Sequence, residues 1–235
     1  MEDPLTEIDF RPRPTSDRPL LGLTVLVVED SRFASEALRL LCLRSGARIR
    51  RADCVVSAKR HLAIYRPAIA IVDLGLPDGS GLDVIAQMDA MHPRVPIILG
   101  TSGDEAEPAA AESLAAGANG FLAKPVVSVA AFQAAILEHM PKDLRPTGLR
   151  LVEPSVVEPD PLAFREDLTH AMDLLALDQP PLSYLRRFLI GVARSVQDTT
   201  LEDRAHRLNS ASASADRADL RALLSSRIQE VAVGV

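Results

Sequence analysis

From Leu23 onward, short apolar runs alternate with segments in which apolar residues recur at helical spacing. "LTVLVV" predicts a buried strand. Ser31 to Ser45 predicts a helix with Phe33, Ala37, Leu38, Leu40 and Leu41 on its apolar side, closed by Gly46. "ARIRRAD" is charged enough to be an edge strand, and Val55 to Tyr65 follows as a helix. The cycle then repeats: strand "AIAIVD", helix Leu82 to Met91, strand "VPIILG", helix Ala109 to Ala116, strand "GFLA", helix Val129 to Met140. Five strands alternating with five helices predict an α/β domain, a doubly wound parallel sheet covered on both faces.

The pattern changes twice outside this unit. Residues 1–21, charged and rich in proline, read as a flexible leader before a domain spanning 22–141. Residues 142–160 read as a Pro-rich linker, since the stretch from Pro141 to Pro161 holds five prolines and no helical period. Beyond it, 161–235 carries helical periodicity in four segments, a small all-α bundle broken at "DQPP" and near Asp216.

Composition narrows the picture. Of 235 residues 47% are hydrophobic and 25% charged, as in a globular chain, while aromatics are only 3%, so Ala, Val, Leu and Ile must build the core. Cys42 and Cys54 match neither a zinc spacing nor a disulfide framework and read as buried, reduced thiols. No signal peptide or membrane-length apolar run is present, which points to the cytoplasm. The net charge of −6 argues against a surface dedicated to nucleic acid.

In open parallel sheets, ligands bind beyond the carboxyl ends of the strands. There this sequence places Glu29 and Asp30 after the first strand, Asp73 at the end of the third, Thr101 at the fourth, and Lys124 after the fifth. Three acids so close repel unless a cation sits among them, and oxygen-only ligands suit Mg²⁺. Asp73, central in the sheet, is placed to act as a carboxylate nucleophile toward a phosphoryl group. The metal and Lys124 would neutralise the charge on that group's oxygens.

Four stretches at these positions, "VLVVEDS", "IVDLGLPDGSGLDVI", "PIILGTSGD" and "GANGFLAKPV", resemble the receiver domain of two-component response regulators, over about Leu21 to Met140. The resemblance implies the flavodoxin-like, five-stranded receiver fold with Asp73 as phospho-acceptor. Glu29, Asp30, Asp73 and the backbone carbonyl of Gly75 would surround Mg²⁺, and Lys124 would pair with the phosphoryl oxygens. Thr101 would also bind the phosphoryl group and, with Phe121, switch on modification, while the Lys124–Pro125 bond would be cis. It also implies a phospho-accepting signalling protein rather than an enzyme, with a sensor histidine kinase or a histidine phosphotransfer (Hpt) protein as donor. The Ala-rich stretches "EPAAAESLAAGANG" and "VVSVAAFQAAILEHM" suit either tight packing or a pairing face, so a homodimer stays open.

The helical segment has no such signature. Nine Arg face ten acids between Pro161 and Val235 with the signs interspersed, which suits a protein partner better than DNA. Within it, "AHRLNSASASAD" places Leu201, Ala205, Leu208, Ala211 and Ala215 on one side of a helix and His206, Ser210 and Ala213 on the other, before a last helix capped by Asp216. His206, Leu208, Asn209-Ser210, Asp216 and Leu220 resemble the phospho-accepting helix of Hpt domains, with Asn209 where that family has lysine and Ser210 where it has glycine. His206 is therefore either a phosphotransfer histidine or a surface histidine on a docking bundle. The sequence leaves three outputs: signalling by protein contact, a phosphorelay intermediate through His206, and a transcription regulator with an unrecognised DNA-binding bundle.

Overall fold

A computed structural model describes residues 14–103, 106–142, 145–146, 155–208 and 214–233. Its centre is a parallel sheet in the order β2-β1-β3-β6-β7: β1 Thr24–Val28, β2 Arg48–Ala52, β3 Ile69–Asp73, β6 Ile97–Ser102 and β7 Gly120–Ala123. A small antiparallel hairpin, β4 Gly75–Leu76 and β5 Gly79–Ser80, follows β3 directly. Each strand alternates its side chains between two faces. Val25, Val27, Ile69, Ile71 and Leu99 meet α1 (Arg32–Arg44) and α5 (Val129–His139). Leu26, Val28, Ala70, Val72 and Ile98 meet α2 (Val55–Ile64) and α3 (Gly81–Ala90). α4 (Ala106–Ala115) closes the sheet beside β6 and β7.

Local chemistry places the helix ends where the residues foretold. The Ser31 hydroxyl accepts from the Ala34 amide to start α1, and Gly46 at φ 85° stands just past Ser45, where it ends. α4 begins three residues earlier than expected, running through Pro108. A proline in the first turn forfeits no intrahelical bond, because those amides have no partner there. The Lys124–Pro125 peptide is cis.

Two boundary expectations are corrected. The end of the supposed leader belongs to the domain: Leu20 is fully buried against Val25 and Leu41, and its amide donates to the Ser45 carbonyl. So does the end of the supposed linker, where Val157 is buried in the same core and its amide donates to Val127 O. Residues 1–13 of the leader and most of the linker's first part lie outside the described residues. Cys42 is buried, but Cys54 is half-exposed and its sulfur accepts from Ser57 N to cap α2.

Four helices follow: α6 Pro161–Leu175, α7 Leu182–Ser195, α8 Thr199–His206 and α9 Ser214–Val233. Phe164, Leu168, Leu185, Leu189, Leu201, Leu220 and Leu224 form their common core. Phe33 of α1 belongs to this cluster and meets Phe164 edge-on at 5.9 Å. The bundle is thus anchored on the N-terminal end of α1. Among the described residues, no helix is long and apolar enough to cross a membrane.

Candidate phosphoryl-accepting site

The strand ends bring Glu29, Asp30, Asp73, Thr101 and Lys124 together. Asp73 pairs in register with Thr101 across β3 and β6, both buried. Close approach behind Asp73 requires Gly81, whose added Cβ would stand 1.9 Å from the Asp73 carbonyl oxygen. Carboxylate oxygens of Glu29, Asp30 and Asp73 lie within 4.8 Å of one another. Lys124 Nζ lies 3.0 Å from Asp73 Oδ2 and donates to Glu29 Oε1 at 2.9 Å. It is also 2.7 Å from Glu29 Oε2, an ion pair without hydrogen-bond geometry, so that buried oxygen makes no hydrogen bond.

Burial governs the electrostatics. Desolvation pushes the Glu29 carboxyl well above the usual range, with Lys124 pulling it down and Asp73 and Asp30 adding to the rise. Asp30 is pushed up to about 6, by desolvation first and then by Asp73. Burial opposes the charge on Lys124, but Asp73, Glu29 and Asp30 outweigh it and hold the ammonium protonated. One ammonium cannot balance three carboxylates. The all-oxygen donor set, the unused lone pairs of Glu29 Oε2 and the surplus negative charge fit a hard divalent cation such as Mg²⁺. Gly75 lines the same cavity from β4.

The two residues expected to switch occupy a defined arrangement. The Thr101 hydroxyl donates to the Leu122 carbonyl at 2.7 Å, across to β7. Phe121 is half-buried one residue before Leu122.

The bundle supplies groups to this site that sequence reasoning did not anticipate. Tyr184 of α7 donates its hydroxyl to Asp30 Oδ2 at 2.6 Å. Asp167 of α6 accepts from Ser31 Oγ, Arg32 N and Phe33 N at 2.7, 2.7 and 3.1 Å, satisfying amides of α1's first turn. Arg187, Phe188 and Gly191 of α7 wall the cavity opposite Asp73 and Lys124. A sequence signal existed for Asp167: it interrupts the apolar stripe of Phe164, Leu168, Ala171 and Leu175 on α6.

His206 is not brought to this cluster. It is exposed as expected, but it is the last residue of α8 rather than a mid-helix residue. Its ring lies 3.6 Å from Glu202, one turn back. Leu201, Ala205 and Leu208 are buried on the other side, as predicted, whereas Ala215 is exposed. Ala215 belongs to α9, whose start at Ser214 also puts Asp216 in the first turn instead of at the cap. Asn209, Ser210, Ala211 and Ala213 lie outside the described residues.

Comparison with known proteins agrees with this geometry. Residues 25–137 match the family of response regulator receiver domains. The transcriptional regulatory protein PhoP of Escherichia coli O157:H7 is 34% identical over 103 residues, 44% of this chain and 46% of PhoP. The response regulator protein PilR of Pseudomonas aeruginosa is 31% identical over 170 residues, 72% of this chain and 34% of PilR. The chain thus spans less than half the length of these relatives. A CheY-like receiver domain protein from Methanospirillum hungatei JF-1 aligns with 49% of this chain and 91% of its own at 20% identity, TM-score 0.45. By its motifs, its strand order and the family match, which covers residues 25–137 alone, that segment belongs to the response regulator receiver domain family.

Proposed function

We propose that the chain is a cytoplasmic response regulator of a two-component phosphorelay. It is phosphorylated on Asp73 with Mg²⁺ and signals through protein contacts of its helical bundle. The observation that carries this reading is the Lys124 ammonium 3.0 Å from Asp73 Oδ2, beside two further buried carboxylates. A phosphohistidine of a sensor kinase or Hpt protein is the donor. An Asp73 carboxylate oxygen forms the new bond to phosphorus as the donor's P–N bond breaks, and the imidazole leaves. Lys124 holds the transferred oxygens, and Glu29, Asp30 and Asp73 hold the cation. When bound, Mg²⁺ supplies charge neutralisation on the equatorial oxygens. The chain is in this sense a phospho-acceptor and not an enzyme acting on a separate substrate.

Thr101 would release the Leu122 carbonyl to donate to a phosphoryl oxygen, and Phe121 would turn toward the space left behind. The test is labelling of the full chain with acetyl phosphate and Mg²⁺. Asp73→Asn should abolish the label, and equal labelling of both proteins would overturn the assignment. A second reading keeps nucleic acid as a partner, because PhoP is named as a transcriptional regulator. Salt-dependent DNA binding by the full chain would favour it.

A further inference from the structure

Building on the reading of Asp73 as phospho-acceptor, we propose that helix α7 is a lid on the acceptor edge, and that docking of the bundle and phosphorylation exclude each other. Three independent contacts seat it. The Tyr184 hydroxyl occupies Asp30 Oδ2, an oxygen of the cation-binding set. Gly191 of α7 lies so close to Gly103, just past β6, that a Cβ on Gly103 would stand 2.8 Å from Gly191 Cα. Arg194 donates to the Gly103 carbonyl. The space that α7 shares with Asp73 and Lys124 has a cavity volume of about 20 Å³, room for about one water, while the wide cleft beside Glu29, Asp30 and Tyr184 is lined by neither Asp73 nor Lys124. A phosphoryl group on Asp73 does not fit there, and Phe188 and Gly191 line the space that a donor histidine would have to enter.

The bundle also grips the receiver at a point that reports its position. Asp167 is the partner of the Arg32 and Phe33 amides, which as first-turn groups of α1 have no acceptor within their own helix. When α7 and the rest of the bundle lift, these two amides lose their acceptor. Linkage then runs both ways: whatever loosens docking makes Asp73 easier to phosphorylate, and phosphorylation loosens docking by the same factor.

The test uses the full chain, with beryllofluoride and Mg²⁺ as the phosphoryl mimic and amide hydrogen exchange as the readout. Exchange at Arg32 and Phe33 should quicken at least tenfold once the mimic is bound. Gly103→Ala should show faster exchange without it and take label from acetyl phosphate about tenfold faster. Tyr184→Phe, which frees Asp30 Oδ2, should bind Mg²⁺ about tenfold more tightly by calorimetry, the equivalent of one hydrogen bond to a charged group. If the mimic binds, as ¹⁹F resonance would report, while Arg32 and Phe33 stay protected, the lid is overturned and the acceptor reading stands. Unchanged Mg²⁺ affinity in Tyr184→Phe would overturn the competition for Asp30. Absence of both mimic and label from wild type and Gly103→Ala would overturn the acceptor reading, and the lid with it.

Discussion

Asp73 and His206 are the two side chains that the sequence motifs single out for carrying a phosphoryl group, and their surroundings differ in kind. Asp73 is 6% exposed, with Lys124 3.0 Å away, Glu29 and Asp30 beside it and Thr101 in register across from it, delivered together by four strand ends. The His206 side chain is 44% exposed, and its nearest ionic neighbour is Glu202, on its own helix. Phosphoryl transfer asks a protein for positioning and for charge that neutralises the moving oxygens. Four strand ends supply this at Asp73. One turn of one helix, with an anion in it, does not supply it at His206. The nucleophile alone therefore does not make the site; convergence of cationic and cation-binding groups does.

The sharpest way to break this contrast is to remove the convergent charge and keep the nucleophile. Lys124→Ala leaves Asp73 in place but takes away the only ammonium in the cluster among the described residues. Labelling by acetyl phosphate should slow by about 100-fold, the usual cost of deleting one preorganised charge partner. The variant should also melt at lower temperature, because Glu29 is left buried without its counter-ion. Added Mg²⁺ should recover part of that loss. Labelling at the wild-type rate would mean that Asp73 does not depend on its surroundings, and the contrast with His206 would collapse.

Much of the Asp73 side of the comparison was legible in the chain. An open parallel sheet puts functional groups at strand ends, so reading "VLVVED" and "AIAIVD" as strands already located Glu29, Asp30 and Asp73. The hairpin at Gly75 and Gly79 was not legible, since two-residue strands carry no period. The contacts of Tyr184 and Asp167 were hidden for another reason. Each bonds a residue more than 130 positions away, and helical periodicity reports which face is buried, not what covers it. At His206 the pattern misled only along the helix axis. The face was right, but a spacing-based reading carried the helix past its end, because Ala and Ser continue a period without fixing a terminus.

A smaller effect is expected where α8 is held. Asp198 caps it by accepting from Leu201 N at 3.0 Å, and Arg227 of α9 donates to the same carboxylate at 2.7 Å. Burial pushes this carboxyl up, but the Arg227 hydrogen bond and the Leu201 amide outweigh it and hold it below the ordinary aspartate range. Asp198→Ala should cost about 2 kcal/mol in chemical denaturation, the upper end for a lost cap. The sign of the pH dependence follows from the lowered value. The folded chain binds fewer protons than the unfolded one, so this stabilisation is present above about pH 4 and is lost as pH falls through the folded value. The gap in melting temperature between wild type and Asp198→Asn should therefore close below about pH 4. A gap unchanged down to pH 3 would mean that the Arg227 pair does not secure the helix carrying His206.

The smallest effect should come from His206 itself. Its side chain is exposed, and its one ion-pair contact among the described residues, with Glu202, is 3.6 Å long, while Glu202 has a better partner in Arg194 at 2.7 Å. His206→Ala should shift stability by no more than about 0.5 kcal/mol, as for other surface changes. It should leave the Asp73 label unaltered. The more searching form charges wild-type chain with phosphate on Asp73 and mixes it with unlabelled Asp73→Asn chain. No acid-labile, alkali-stable label should pass to the recipient, because the imidazole faces the Glu202 carboxylate and, among the described residues, no cluster of cation-binding carboxylates with a lysine like that around Asp73. Transfer that appears, and disappears in an Asp73→Asn, His206→Ala recipient, would make His206 a relay site. It would show that a helix end with a single acidic neighbour can accept a phosphoryl group when the partner receiver brings the missing charges with it.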